Sequence, residues 1–192
     1  MCLLSGLLMS ACTAHAQNQQ FVFTLYGGLF FPSNMNFKST YQSSSDLMWG
    51  AGLCLPMRSY LYTTVDYAYF HTQSLLPSTN DSTMELDEQF LHVGILDKQR
   101  ISGNIYFRLS GGLSYTKVKQ SSSSPDSPKQ TKNADKRLGY FGGIGLEQQL
   151  DEQGHIALFG DLMYDYRRSR QKDLCGDFGG VRLILGVHLF LF

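Results

Sequence analysis

The 192-residue chain lacks several features that would assign it to a familiar class of protein. Its 16 basic and 16 acidic residues give a formal net charge of zero, so nothing favours electrostatic attraction to nucleic acid. Charged residues are only 17% of the chain, against about a quarter in ordinary globular domains. No uninterrupted apolar run approaches the roughly 18 residues that a transmembrane helix needs. These absences exclude a basic nucleic-acid-binding protein and a simple helical membrane protein.

Cysteine is also scarce, and two of the four cysteines lie within the first 16 residues. This segment begins with a largely apolar stretch and ends in Ala14-His15-Ala16, the small-residue pattern of a signal-peptidase site. We therefore predict a signal peptide over residues 1–16 and an exported domain over residues 17–192. The lipobox-like run Met9-Ser10-Ala11-Cys12 leaves lipid attachment at Cys12 open as an alternative.

From residue 21 onward, apolar and polar side chains alternate with period two, the pattern of strands that have two distinct faces. Eight such segments follow one another, and the first four cover about residues 21–31, 47–57, 59–70 and 85–96. The apolar tracks of the last four contain, in order, Leu109, Ile144, Leu162 and Leu185. No helical pattern interrupts them, so the chain is predicted to be all-β.

The connections between these segments alternate in length. Long polar connections span about residues 32–46, 72–84, 120–136 and 168–177, and tight turns are predicted at Arg58 and at residues 97–100 and 151–154. The third long connection is rich in Ser, Pro and Lys and is predicted to be disordered or mobile.

An even number of strands, with short turns on one side and long loops on the other, is typical of an outer-membrane barrel. The predicted fold is therefore an eight-stranded antiparallel up-and-down transmembrane β-barrel with short periplasmic turns and long extracellular loops. In that fold Cys54 and Cys175 would lie at opposite ends, so we expect no disulfide between them.

Two features indicate which face of the sheet meets lipid. The polar track mixes glycines with charged residues, which suits the crowded interior of a narrow barrel. The apolar track carries aromatic residues toward its long-loop end, as in an interfacial girdle. The predicted girdle consists of Trp49, Tyr67, Tyr69, Tyr115, Tyr140, Tyr164 and Tyr166. Lipid is therefore expected outside; the alternative is a soluble lipocalin-like binder with the apolar track inward around a ligand.

Charges on the polar track would be costly inside a barrel unless they pair with one another. We therefore predict an interior ionic network centred on Arg108 and Arg182. Its members are Asp66, Glu88, Arg108, Glu147, Asp161, Asp165 and Arg182. Arg167 lies on the same track, and His92 is expected to be a hydrogen-bonded interior residue. The network is predicted to act as a structural plug, with a polar conduit or proton path as the alternative.

Over about residues 17–192 the chain resembles the small eight-stranded outer-membrane barrels of Gram-negative bacteria, the OmpA/OmpX type. The terminal Phe192 is similar to the C-terminal aromatic residue by which the barrel-insertion machinery recognises such proteins. Strict alternation puts Phe192 on the inner track with His188, whereas the family places its last aromatic residue outward. The resemblance implies an outer-membrane location, with membrane lipids and the insertion machinery as partners.

Some barrels of this size are lipid A deacylases or palmitoyltransferases, which suggests an enzymatic alternative. The candidate residues are His71 and Ser74 near the outer leaflet, with Glu85 as the acidic partner. The deacylase-like pattern separates His from Ser by one residue, whereas two intervene here, so an extended strand would point them apart. His155 and His188 are expected near the periplasmic rim without partners at metal-ligand spacing. We therefore predict no catalytic, cofactor or metal site.

The sequence is therefore interpreted as a non-enzymatic surface barrel, monomeric, with a structural, adhesive or envelope-stabilising role. Its four long loops would make any contact with an extracellular ligand, since loops on a rigid scaffold commonly carry recognition. Phe37, Tyr41 and the Lys-rich third loop are the candidate contacts.

Overall fold

A computed structural model describes residues 20–33, 45–75, 83–124, 127–151, 153–167 and 179–191. Side chains are described at all of these positions except 75, 124 and 127–135. Within these ranges no helix is long and apolar enough to cross a membrane. The predicted signal peptide, Cys12, Cys175, Phe37, Tyr41 and Phe192 lie outside the described residues.

Eight strands form the fold. They are β1 (Phe21–Pro32), β2 (Asp46–Arg58), β3 (Leu61–Leu75), β4 (Thr83–Ser102), β5 (Ile105–Ser124), β6 (Ser127–Gln149), β7 (Ile156–Tyr166) and β8 (Gly180–Leu191). Each strand pairs antiparallel with the next, and β8 pairs with β1 to close the barrel. The predicted fold class is confirmed. Closure leaves no unpaired sheet edge, so the backbone groups of every strand can be satisfied within the protein.

Alternating side chains divide the barrel into two faces along the predicted tracks. The pairing of β1 with β8, which closes the barrel, has no register shift: it begins with Phe21 opposite Leu191 and ends with Pro32 opposite Gly180. Apolar side chains point outward, as at Leu185 and Leu109, which are 69% and 50% exposed. Charged and polar side chains are buried inside. The soluble-binder alternative required a continuous apolar interior, and it is wrong on this arrangement.

The second short turn lies further along the chain than predicted. Residues 97–100 belong to β4, which continues to Ser102, and the turn is made by Gly103 and Asn104. Gly103 has a φ of 52°, which lies in the left-handed region. Glycine adopts this conformation readily because it has no Cβ to clash with the backbone. Because the strand is longer, Lys98 turns inward and is 4% exposed.

The third long connection is also different from the prediction. β5 continues to Ser124 and β6 begins at Ser127, with pairs such as Gln120 opposite Lys132 and Ser121 opposite Thr131. The register shifts twice within this extension. A ladder of backbone hydrogen bonds does not require apolar side chains, so a stable barrel can extend a polar hairpin beyond its apolar belt.

Candidate functional site

The interior charges form two groups at different depths. The upper cluster lies toward the long connections and consists of Asp66, Glu88, His92, Asp165, Arg167 and Arg182. The lower cluster lies toward the short turns and consists of Lys98, Arg108, Glu147, Asp161 and His188. All seven residues of the predicted network face inward, but they fall into two clusters rather than one.

Asp165 is the centre of the upper cluster. One of its oxygens lies 2.7 Å from Arg182 Nε, and the other lies 3.2 Å from Arg167 Nη2. The same second oxygen is 2.9 Å from His92 Nε2. Asp165 and Arg182 are both fully buried, so the carboxylate has exchanged water for cationic and imidazole partners.

His92 joins Asp165 to Asp66. Its Nδ1 lies 3.2 Å from Asp66 Oδ1, so the two ring nitrogens each face a carboxylate oxygen. Tyr26 donates a hydrogen bond of 2.5 Å to that same Asp66 oxygen. Register explains the meeting, because Asp66 on β3 stands directly opposite His92 on β4. The expectation of a hydrogen-bonded interior histidine is met at His92.

Arg167 extends the upper cluster toward the long connections. Its Nη1 lies 3.9 Å from Glu88 Oε2, and its guanidinium carbon is 4.4 Å from the centre of the Phe90 ring. Phe90 in turn packs in an apolar cluster with Phe30 and Phe70. The upper cluster is therefore covered on this side by aromatic side chains, which exclude water from its charges.

The lower cluster is built around Glu147 and Arg108. Glu147 lies 2.8 Å from Lys98 Nζ and 3.0 Å from Arg108 Nη1. Arg108 also reaches Asp161, with Nη2 3.1 Å from Oδ2. One row of register partners across β4 to β7 carries Lys98, Arg108, Gly145 and Asp161. Position 145 is a glycine, and this leaves room for the Asp161 side chain, because a Cβ at that position would collide with the Asp161 carboxylate.

His188 belongs to the lower cluster, on the short-turn side where the sequence placed it, and its buried contacts there were not predicted. It is fully buried, with Nε2 against Arg108 Nη1 and 3.6 Å from Glu147. A guanidinium can only donate, so Nε2 must accept and the proton lies on Nδ1. Nδ1 then donates to Thr24 Oγ1 at 3.0 Å. The strand-by-strand prediction missed this contact because it joins residues 80 positions apart.

Apolar side chains separate the two clusters. Phe141, Phe159, Met163 and Ile184 pack together between them, beside a cavity of about 60 Å³. A wider vestibule of about 340 Å³ opens at the short-turn end, with Lys98 and Glu147 in its lining. The smaller cavity is lined by Asp66 of the upper cluster and by Arg108, Asp161 and His188 of the lower cluster.

The predicted girdle residues all lie on the outward track. Trp49, Tyr67, Tyr140, Tyr164 and Tyr166 are exposed, while Tyr69 and Tyr115 are half-buried. The rings of Trp49 and Tyr69 lie 5.7 Å apart, and the two residues are paired in register across β2 and β3. Their role at a membrane interface stays a prediction.

Comparison with solved structures finds the same architecture. A major outer membrane protein from Thermus thermophilus matches with a TM-score of 0.63 at 13% identity, over 89% of this chain and 99% of that chain. Neisserial surface protein A matches with a TM-score of 0.58 at 12% identity, over 88% and 96%. The attachment invasion locus protein Ail of Yersinia pestis matches with a TM-score of 0.52 at 10% identity, over 91% and 99%.

The chain has the fold of the small eight-stranded outer-membrane barrels. No protein-family model matches its sequence, and a search of curated proteins finds no match. At these identities the likeness concerns the fold of the barrel, not its activity.

The structure separates the histidine and serine of the enzymatic alternative. His71 is outward and exposed, whereas Ser74 is inward and 7% exposed. His71 Nδ1 instead lies 2.7 Å from Asp87 Oδ1, which also accepts a hydrogen bond of 2.6 Å from Tyr69. Glu85 stands opposite Gln73 in the register. A Ser–His relay needs direct contact, so this barrel does not assemble the deacylase-like triad at these residues.

Proposed function

We propose that this chain is a non-enzymatic protein of the outer membrane, which holds a closed, rigid barrel in the lipid and presents its long connections to the cell exterior. One observation carries the proposal: the two faces of the barrel are inverted relative to a soluble protein. Apolar side chains such as Leu185 are exposed, while Arg182 and Asp165 are fully buried. Only a hydrocarbon surrounding makes that distribution favourable along every strand.

The paired interior favours a structural plug over a conduit. Each cluster brings carboxylates within ion-pair distance of buried cations, as at Arg182 with Asp165 and Arg108 with Glu147. A buried charge that loses its partner is strongly unfavourable, so an ion or proton moving through the interior would have to disrupt these pairs. The plug therefore stiffens the barrel as a platform for its loops.

In this proposal the long loops contact an extracellular ligand, and the protein has an adhesive or envelope-stabilising role. The barrel is proposed to be a monomer surrounded by outer-membrane lipids, inserted by the barrel-assembly machinery, and without a cofactor. Loops held by a rigid scaffold are well suited to recognition because the scaffold lowers the entropy lost on binding.

The first experiment is fractionation combined with heat-modifiability. The expected result is enrichment in the outer membrane, with a gel mobility that changes when the sample is boiled. Recovery of the protein in the soluble periplasmic fraction would overturn the membrane assignment. A monomeric mass in detergent is expected from the same preparation.

A second experiment tests the loops. The connection at residues 34–44 is replaced by a short Gly-Ser linker, and cells carrying either form are compared for attachment to matrix proteins and host cells. Unchanged heat-modifiability is the control that the barrel is intact. Loss of attachment in the shortened form supports loop recognition. Equal attachment by both forms and by cells that lack the protein would leave an envelope-stabilising role, measured as sensitivity to detergent.

A further inference from the structure

Two lysines stand directly opposite one another on the outer face. Lys117 on β5 pairs in register with Lys136 on β6, and both side chains are exposed on the same side of the sheet. Side chains directly opposite in an antiparallel pair have Cβ atoms about 5 Å apart, and like charges in that arrangement repel. The register partner of Lys117 on its other side, on β4, is Gln89, so this row supplies no carboxylate there.

The pair lies where the apolar surface ends on both strands. On β5 the outward positions before Lys117 are Leu113 and Tyr115, and on β6 the outward positions after Lys136 are Leu138 and Tyr140. Leu138 is 75% exposed and Tyr140 is 64% exposed. The two ammonium groups therefore lie at the level of lipid headgroups, on the long-connection side, with aliphatic stems against the apolar belt.

A third outward lysine provides a contrast. Lys119 lies on the same strand and face, but its register partner on β4 is Asp87. That carboxylate also contacts His71 and Tyr69. Lys119 therefore has an acidic neighbour in its own row, whereas Lys117 faces Lys136.

We propose that Lys117 and Lys136 together bind the phosphate group of an anionic lipid in the outer leaflet. A phosphate between the two ammonium groups converts their repulsion into two charge-assisted hydrogen-bonding contacts. The acyl chains of the same lipid lie against the apolar side chains below the pair. This inference rests on the proposed membrane location, because it requires the outer face to contact lipid.

The test measures binding of a single lipid to the folded, detergent-solubilised full chain by native mass spectrometry. The probes are dioleoyl phosphatidic acid, which carries a phosphate monoester, and dioleoyl phosphatidylcholine with the same chains. Each lysine near an anionic headgroup is worth about a fivefold gain in affinity. We expect the wild type to prefer phosphatidic acid by fivefold or more, and the Lys117→Gln/Lys136→Gln double variant to have a ratio of the two Kd values near one.

Lys119→Gln is the matched control, because it removes the same charge from the same strand and face. It should keep most of the preference, whereas Lys117→Gln alone should lose most of it. If Lys117→Gln and Lys119→Gln lose the preference for phosphatidic acid equally, the preference comes from the net charge of the outer face. That result would overturn the paired site. Heat-modifiability is measured on every sample. A folded wild type without preference for phosphatidic acid overturns this inference alone, whereas a wild type that is not heat-modifiable overturns the membrane barrel as well.

Discussion

The upper and lower clusters both hold charged side chains inside the barrel, but they pair these charges with different partners. The upper cluster contains three carboxylates and two guanidiniums, and His92 stands between two of the carboxylates. The lower cluster contains two carboxylates and two cations, and its histidine, His188, faces a guanidinium. His92 therefore bridges two carboxylates in the upper cluster, whereas His188 accepts a hydrogen bond from a guanidinium in the lower one.

This difference shows that burying a charge inside a barrel is a matter of local partners. In the lower cluster Arg108 contacts both Glu147 and Asp161, so losing one acid leaves it another. In the upper cluster Asp165 contacts Arg182, Arg167 and His92, and among the described residues it is the one carboxylate within ion-pair distance of Arg182. Arg182 therefore depends on a single carboxylate, whereas Arg108 has two.

Asp165→Asn is expected to give the largest loss of stability. It leaves the fully buried guanidinium of Arg182 without its carboxylate and weakens the pairing of Arg167, which costs about 3–5 kcal/mol. Asp161→Asn in the lower cluster should cost less, about 1.5–3 kcal/mol, because Arg108 retains Glu147. Urea unfolding in lipid vesicles measures both, followed by the fluorescence of Trp49, the single tryptophan. Equal losses would mean that the clusters are energetically equivalent.

An arginine on the outer face has none of the partners that the clusters supply. Leu185→Arg and Leu109→Arg should each destabilise the barrel by about 2–4 kcal/mol at mid-bilayer. Leu138→Arg, near the long-connection end, is the control and should cost about 0–1 kcal/mol because it can reach the interface. Normal folding of the first two variants in both detergent and lipid would reverse the assignment of faces.

The two histidines provide a narrower comparison, because both are fully buried. His92→Gln should cost about 1.5–3 kcal/mol, since the imidazole ring contacts both Asp66 and Asp165 and a glutamine amide cannot reach both in the same geometry. His188→Gln should cost about 0.5–1.5 kcal/mol, since a glutamine oxygen can still accept from Arg108. The same urea unfolding assay ranks them. A larger loss at His188 would contradict the roles inferred here.

The smallest effect is expected at Asp151, a half-buried carboxylate outside both clusters. In the turn between β6 and β7, the backbone N–H groups of Ile156 and His155 lower the pKa of Asp151 below 3.8. Because the folded pKa is depressed, its stabilisation is present above the unfolded pKa and is lost as pH falls through the folded value. A carboxyl NMR titration in micelles should give an Asp151 midpoint below the usual range of an aspartate. Asp151→Asn should shift the urea midpoint less than any cluster variant does.

The sequence predicted the faces of the barrel well because period-two alternation is a local property of each strand. Arg108 and Asp161 were placed inside on that pattern alone, and both are buried. The prediction was wrong at Lys98 because the turn was put at residues 97–100, although Gly103-Asn104 is itself a short-turn signal. It was also wrong for the third connection, which was predicted to be disordered from its Ser, Pro and Lys content but pairs as an extension of β5 and β6. Amino-acid composition does not reveal that a neighbouring stable hairpin can extend its backbone hydrogen bonds into a polar segment.

The sequence by itself determined the strand number, the two faces and the need for charge pairing inside. These follow from alternation and from the high cost of burying an unpaired charge, which both act on each strand separately. Only the tertiary structure decided which charges meet. Barrel closure and strand register bring Arg108 to Glu147 and His188 across 39 and 80 positions of sequence, and so divide one predicted network into two clusters.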